Sequence, residues 1–172
     1  MGNVTTPEAL ALRWAEVVND STLRDLPFKI ELNAFGKIEM SPANTRHSRL
    51  QGAIPAEFAR QLPDGGVLTE CPVLTEIGVR VPDVAWASKD FLARHGDTSP
   101  LPQAPEICIE IVSPSNSEEE MRLKTDAYLK AGAHEVWIVS EDGTTRFFAR
   151  DGERAASVFP VRLNLPPRVS PA

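Results

Sequence analysis

An α/β fold, a mixed sheet flanked by helices with a helix and a β-hairpin at its N-terminal side, is predicted by three observations on this 172-residue sequence. The most apolar run, Glu106–Val112, has strand character on both faces. It feeds directly into a strong helical pattern over Asn116–Ala131, and a second apolar run, Glu135–Ser140, follows that helix. Strand, helix and strand in this order is the repeating unit of a layered α/β sheet. At 42% hydrophobic and 24% charged, the composition is that of a globular chain, and the length suits one domain, residues 1–172, with its own core.

The elements follow in order. Thr6, Pro7 and Glu8 make a helix start, with a hydroxyl cap, a proline at the first helical position and an acid in the first turn, so a helix is predicted over Pro7–Val18. Phe28–Leu32 and Gly36–Met40 are strand-like and joined by Asn33-Ala34-Phe35, a hairpin signal. Ser41-Pro42-Ala43-Asn44 breaks the pattern. Leu50, Ile54 and Phe58 then recur at helical spacing within Thr45–Gln61, with Pro55 expected to kink or split the helix. The β-branched stretch Gly66–Trp86 reads as two or three strands interrupted at Pro72 and Pro82, and Lys89–Arg94 as a helical turn before a proline-containing loop, Gly96–Ala104. Glu135–Ser140 and Thr144–Ala149 form a hairpin about Glu141-Asp142-Gly143. The proline-rich tail, about residues 163–172, is expected to be frayed or docked.

Charge and cysteine usage bound the function. With 18 Lys+Arg against 24 Asp+Glu, the formal net charge of −6 gives no bulk attraction to nucleic acid, so a polyanion would need a local patch or a metal. Cys71 and Cys108 lie in apolar strands without ligand spacing and read as buried free thiols. The first residues lack a basic region and an apolar stretch of signal-peptide type, and no run approaches the ~20 apolar residues of a membrane span, so a cytoplasmic protein is expected.

Three residues stand out chemically. Glu110 is the sole charge inside Ile107–Val112, and a buried carboxylate costs several kcal/mol unless it is paired, protonated or bound to a metal. On the following helix, at 100° per residue, Met121, Leu123, Ala127, Tyr128 and Ala131 make an apolar arc, and Lys124 falls inside it. Its ammonium should snorkel out or meet a carboxylate, for which Glu110 is the candidate. Asp83, in Val81-Pro82-Asp83-Val84, is a third charge at an apolar strand start, where it either caps a turn or joins Glu110. Two acids on neighbouring strands and a lysine suit metal-assisted phosphodiester hydrolysis. The carboxylates hold Mg²⁺, which lowers the pKa of a bound water and polarises the phosphate, while the lysine stabilises or orients the nucleophile.

Val81-Pro82-Asp83-Val84, Pro105–Ser115, Lys124, Tyr128, Gly132 and Glu135–Val139, with Ile30-Glu31-Leu32, Gly36–Pro42 and His47 upstream, resemble the Uma-type "putative restriction endonuclease" family, a branch of the PD-(D/E)XK nuclease superfamily. The resemblance covers roughly Phe28 to Phe148. It implies a restriction-endonuclease-like core, a Mg²⁺ ion (Mn²⁺ as substitute) on Asp83 and Glu110, and Lys124 as catalytic lysine. The superfamily lysine two residues after the second acid is replaced here by Val112, so the resemblance implies that it has moved to the next helix. Glu31 and His47 are secondary candidates; His47 lies on the Leu50, Ile54 and Phe58 stripe and faces inward, where a satisfied core histidine is the common outcome.

The leading expectation is a Mg²⁺-dependent endonuclease acting on DNA. Its rivals are a catalytically silent nuclease fold serving as a binding or regulatory module, and a small-molecule hydrolase using the same carboxylates. Arg46, Arg49 and Arg60 are the nearest approach to a basic patch, a solvated helix face explains them equally well, and a homodimer is left open.

Overall fold

The computed structural model describes residues 5–169. Its helices start where side-chain caps permit. Thr6 accepts a hydrogen bond from the Ala9 amide (3.3 Å) ahead of α1 (Pro7–Asn19), and Asn44 accepts one from the His47 amide (2.8 Å) ahead of α2 (Thr45–Gln61). Ser88 and Ser117 cap α3 (Lys89–His95) and α4 (Glu118–Lys130) in the same way. Each such cap contributes about 1 kcal/mol.

Ten strands form two sheets. A four-stranded antiparallel sheet has the order β2-β1-β5-β4: β1 (Phe28–Asn33) and β2 (Ile38–Pro42) are the anticipated hairpin, joined to β5 (Gly78–Arg80) and β4 (Val73–Thr75). A six-stranded sheet has the order β10-β9-β8-β7-β6-β3, built from β3 (Gly65–Thr69), β6 (Val84–Ser88), β7 (Ile107–Ile111), β8 (Glu135–Val139), β9 (Thr145–Ala149) and β10 (Gly152–Arg154). Its central pair, β7 and β8, is parallel with Ile109 opposite Trp137, and α4 makes the crossover; the other neighbours are antiparallel.

Alternation along β7 sorts its side chains. Ile107, Ile109 and Ile111 pack with Leu50, Ile54 and Phe58 of α2 and with Trp137, whose ring lies 5.1 Å from that of Phe58. Cys108 and Glu110 face the opposite way, where Cys108 packs with Met121, Tyr128 and Leu129 of α4. A third cluster joins Leu10, Trp14 and Val17 of α1 to Leu32, Val79 and Val81.

Four local expectations change, and the tail takes the docked of its two expected forms. The helix α2 runs through Pro55 without a break. Burying Leu50, Ile54 and Phe58 contributes about 2 kcal/mol each, which together exceeds the ~3 kcal/mol that a proline costs inside a helix. Gly66–Trp86 holds four strands, because Glu76 and Ile77 make an extra turn that ends in Gly78 at φ 118°, where an added Cβ would sit 2.0 Å from the Leu32 carbonyl oxygen. Leu123 is 42% exposed, so the buried arc of α4 is Met121, Lys124, Thr125, Ala127, Tyr128 and Leu129. The short β10 was absent from the pattern. The tail is docked through residue 169: Val161 is buried, Leu163 and Leu165 pack on the α2 cluster, and Arg46 donates to the Pro166 carbonyl at 2.7 Å; residues 170–172 lie outside the described ones. No helix among the described residues is long and apolar enough to cross a membrane.

Candidate active site

A cleft of about 600 Å³ opens where the two sheets meet, and Lys29, His47, Asp83, Glu110 and Lys124 line it. Asp83 directly precedes β6. The β6–β7 register pairs Val84 with Ile109, so Asp83 and Glu110 stand one step further along on adjacent strands. The Ile111 amide donates to Asp83 Oδ2 at 2.7 Å, a backbone tie that fixes the carboxylate against β7.

Lys124 and Tyr128, four residues apart on α4, meet the same acid. The Tyr128 hydroxyl donates to Glu110 Oε1 at 2.7 Å, and Lys124 Nζ lies 3.5 Å from that oxygen and 2.9 Å from Glu31 Oε2. Glu31 comes from β1, in the other sheet; its Oε1 accepts the Val81 amide at 2.8 Å, and Arg80 Nη1 lies 3.5 Å from Oε2. Lys124 thus joins the two sheets through two carboxylates. His47, oriented by the Asn44 cap on its own amide, places Nε2 3.2 Å from Asp83 Oδ1. All five residues singled out in the sequence, Asp83, Glu110, Lys124, Glu31 and His47, therefore converge on one locus.

Lys29 was not anticipated. Its ammonium donates to Asp83 Oδ1 at 2.8 Å and to the Val81 carbonyl at 3.1 Å, and lies 3.6 Å from Glu110 Oε2. Strand period alone would have found it: residues i and i+2 share a face, so an inward Glu31 carries Lys29 inward with it. Arg80, buried on β5 and paired with Glu39 at 2.5 Å, was missed because its three-residue strand is too short to show a period.

Burial and pairing compete in every ionisation here. Burial pushes Asp83 up, but the hydrogen bond from His47 and the Lys29 ammonium outweigh it and hold its carboxyl well below the usual range. Glu110 goes the other way: its burial is the dominant effect, the two lysines counter it only in part, and neighbouring Asp83 and Glu31 add to the rise. Glu31 is depressed because Lys124 and Lys29 overcome its desolvation. Lys29 and Lys124 are both raised, burial opposing and the carboxylates prevailing, so both stay ammonium. Asp83 raises His47, chiefly by its hydrogen bond.

The surroundings of the site bear on charge as well. Arg46 donates its Nε to the Glu141 carbonyl (2.8 Å) and its Nη1 to Pro166, which ties it to the C-terminal segment, while Arg49 is exposed and the exposed Arg60 pairs with Glu57 on its own helix. The site does not account for the net negative charge of the chain, since Glu31, Asp83 and Glu110 face the ammonium groups of Lys29 and Lys124.

Donor chemistry decides whether a metal fits. Among the described residues, no group of three His, Cys, Asp or Glu side chains is arranged as a metal cluster. Asp83 Oδ1 and Glu110 Oε2 nevertheless converge on a single cation, the Lys29 ammonium. Two hard carboxylates on an open cleft match Mg²⁺, which is bound through one or two carboxylates and keeps several waters.

The two-sheet α/β core thus gathers these acids and lysines at the ends of its central strands. The chain belongs to the Uma2 family, described as "Putative restriction endonuclease", whose model matches residues 20–169. A crystal structure of "a putative nuclease belonging to DUF820" from Anabaena variabilis superposes with a TM-score of 0.61 at 18% identity, covering 73% of this chain and 74% of that one. At that identity the likeness speaks for the fold alone. No curated protein matches.

Proposed function

We propose that the protein is a Mg²⁺-dependent endonuclease that hydrolyses DNA phosphodiester bonds. The observation that carries this reading is the convergence of Asp83 and Glu110 on one cation at the floor of an open cleft, with Lys124 beside them. Asp83 and Glu110 would hold the ion, which when bound supplies an activated water and polarises the phosphate. The chain's own groups do the rest. The Ile111 amide and Tyr128 hydroxyl fix the two acids, while Glu31 holds the Lys124 ammonium facing the cleft so that its charge stabilises the phosphorane-like oxygens and the incoming nucleophile. Because these groups are set by backbone register and buried contacts, little reorganisation is left for the reaction itself.

One observation favours a second reading, a silent fold kept for binding or regulation: Glu70 and Glu120 stand on the rim of the cleft, where a DNA backbone would meet negative charge. Purified protein incubated with plasmid, single-stranded DNA and RNA, in Mg²⁺, Mn²⁺ or chelator, separates the two. The endonuclease cleaves DNA only with metal, and Asp83→Ala and Lys124→Ala each lose about 10²-fold or more. Equal inertness of wild type and Asp83→Ala on every substrate, with no metal bound, leaves the binding module.

A further inference from the structure

The ammonium of Lys29 occupies the place where the two acids converge. It reaches there from β1, on the four-stranded sheet, whereas Asp83 and Glu110 belong to the six-stranded one. It donates hydrogen bonds to the Val81 carbonyl at 3.1 Å and to Asp83 Oδ1 at 2.8 Å, and pairs with Glu110 Oε2 at 3.6 Å.

The remaining carboxylate oxygens are engaged elsewhere. Asp83 Oδ2 takes the Ile111 amide, and Glu110 Oε1 takes Tyr128 and Lys124. Asp83 Oδ1, which also faces His47 Nε2 at 3.2 Å, and Glu110 Oε2 are the oxygens through which these two acids share a cation, and Lys29 is on both. Mg²⁺ bonds oxygen at about 2.0–2.1 Å and brings its own waters, so it does not coexist with an ammonium 2.8 Å from the same atom. The lysine also has a way out. It is the most exposed charged group of the floor after His47, 14% against 1% for Asp83 and 3% for Glu110, and it lines the open cleft. A flexible four-carbon stem lets its head move while β1 stays in place.

We propose that Lys29 is a built-in counter-cation that competes with the divalent ion for Asp83 and Glu110, so that metal entry and departure of the Lys29 ammonium into the cleft are one exchange. This rests on the metal-dependent reading above and gives it a regulatory consequence: the lysine keeps two buried acids paired in the metal-free protein and sets a threshold for metal loading. Removing it withdraws a like charge from within a few ångströms of the ion, which tightens binding by about tenfold or more.

Calorimetric titration of the full chain with Mn²⁺ alone tests the exchange, on wild type, Lys29→Met, and each combined with Asp83→Asn. The expected result is binding about tenfold or more tighter in Lys29→Met, abolished by Asp83→Asn in both backgrounds. Equal or weaker binding in Lys29→Met, with Asp83-dependent binding retained in wild type, overturns the exchange and leaves the metal reading standing. Absence of Asp83-dependent binding in both backgrounds overturns the metal reading and the exchange together. Should Lys29→Met not fold, wild type labelled at the lysine ε-carbons answers instead. Titration with Mg²⁺ should move the Lys29 resonance, assigned by its loss in Lys29→Arg, to the position of the exposed Lys37, Lys89 and Lys130. A Lys29 resonance unmoved at Mg²⁺ levels that perturb Asp83 overturns the proposal.

Discussion

Glu110 and Glu135 are buried to nearly the same degree, 3% and 1% exposed, at opposite ends of two paired parallel strands, and they are satisfied in opposite ways. Glu135 accepts from Trp137 Nε1 (2.8 Å), the Val158 amide (2.9 Å) and the Ser157 hydroxyl (2.5 Å), with Arg154 more distant at 3.8 Å. Its partners are fixed, mostly neutral groups, and the carboxylate ties the C-terminal segment to the sheet. Glu110 has one neutral donor, Tyr128, and two lysines, and it looks onto a cleft. Burial alone therefore does not mark an acid as functional. A carboxylate closed by backbone and indole donors is a structural bolt, whereas one closed by flexible cations beside an opening can exchange its partners.

The sharpest way to break this contrast is truncation of the bolt. Glu135→Ala leaves an indole, an amide and a hydroxyl without an acceptor and should lower stability by about 3 kcal/mol or more, read by denaturant unfolding, with Mn²⁺ binding unchanged. A loss confined to metal binding would erase the distinction. Tyr128→Phe removes the one neutral donor of Glu110 and should lower stability by about 1–2 kcal/mol, with a further rise in the Glu110 ionisation measurable by carboxyl ¹³C NMR. The acid limb is a subtler test. Glu31 is depressed in the fold, so its contribution is present above its ordinary value near 4.5 and fades as pH falls through the lower folded value; Glu31→Gln should flatten the stability–pH curve below about pH 4.5. Smallest of all should be Glu110→Gln. Its charge is disfavoured by the fold, so the neutral isostere should change stability by no more than about 1 kcal/mol at pH 7, while abolishing Mn²⁺ binding.

The same pair shows what the sequence could convey. Asp83 and Glu110 were visible because a charge in an apolar run is out of place, and Lys124 because helical phase set it among apolar neighbours. Glu135 opens its run after His134, where an acid looks like an ordinary surface start, and only the fold brings Ser157 and Val158 back over it. Lys29 needs only the two-residue period of a strand, counted from an inward Glu31. The helix boundaries were legible because their caps are local; α2 spans Thr45–Gln61 in sequence and structure alike. The division into two sheets was not, since the pairing of Leu32 with Val79 joins strands far apart in the chain and leaves no local mark. The three-residue β10, Gly152-Glu153-Arg154, carries too few apolar side chains to register.

The two cysteines give the molecule one more property. Cys71 and Cys108 sit in the cluster beneath α4, burial pushing the Cys71 thiol up to about 12 and the Cys108 thiol well above its ordinary value. Only a thiolate attacks an alkylating reagent at speed, so the closed protein is nearly inert to one. Modification of Cys108, which is fully buried against Met121, Tyr128 and Leu129, must then pass through an opening of the packing beneath α4. The rate of Cys108 labelling is in effect a clock for how often the packing under the cleft floor comes apart, and it runs without any substitution in the chain.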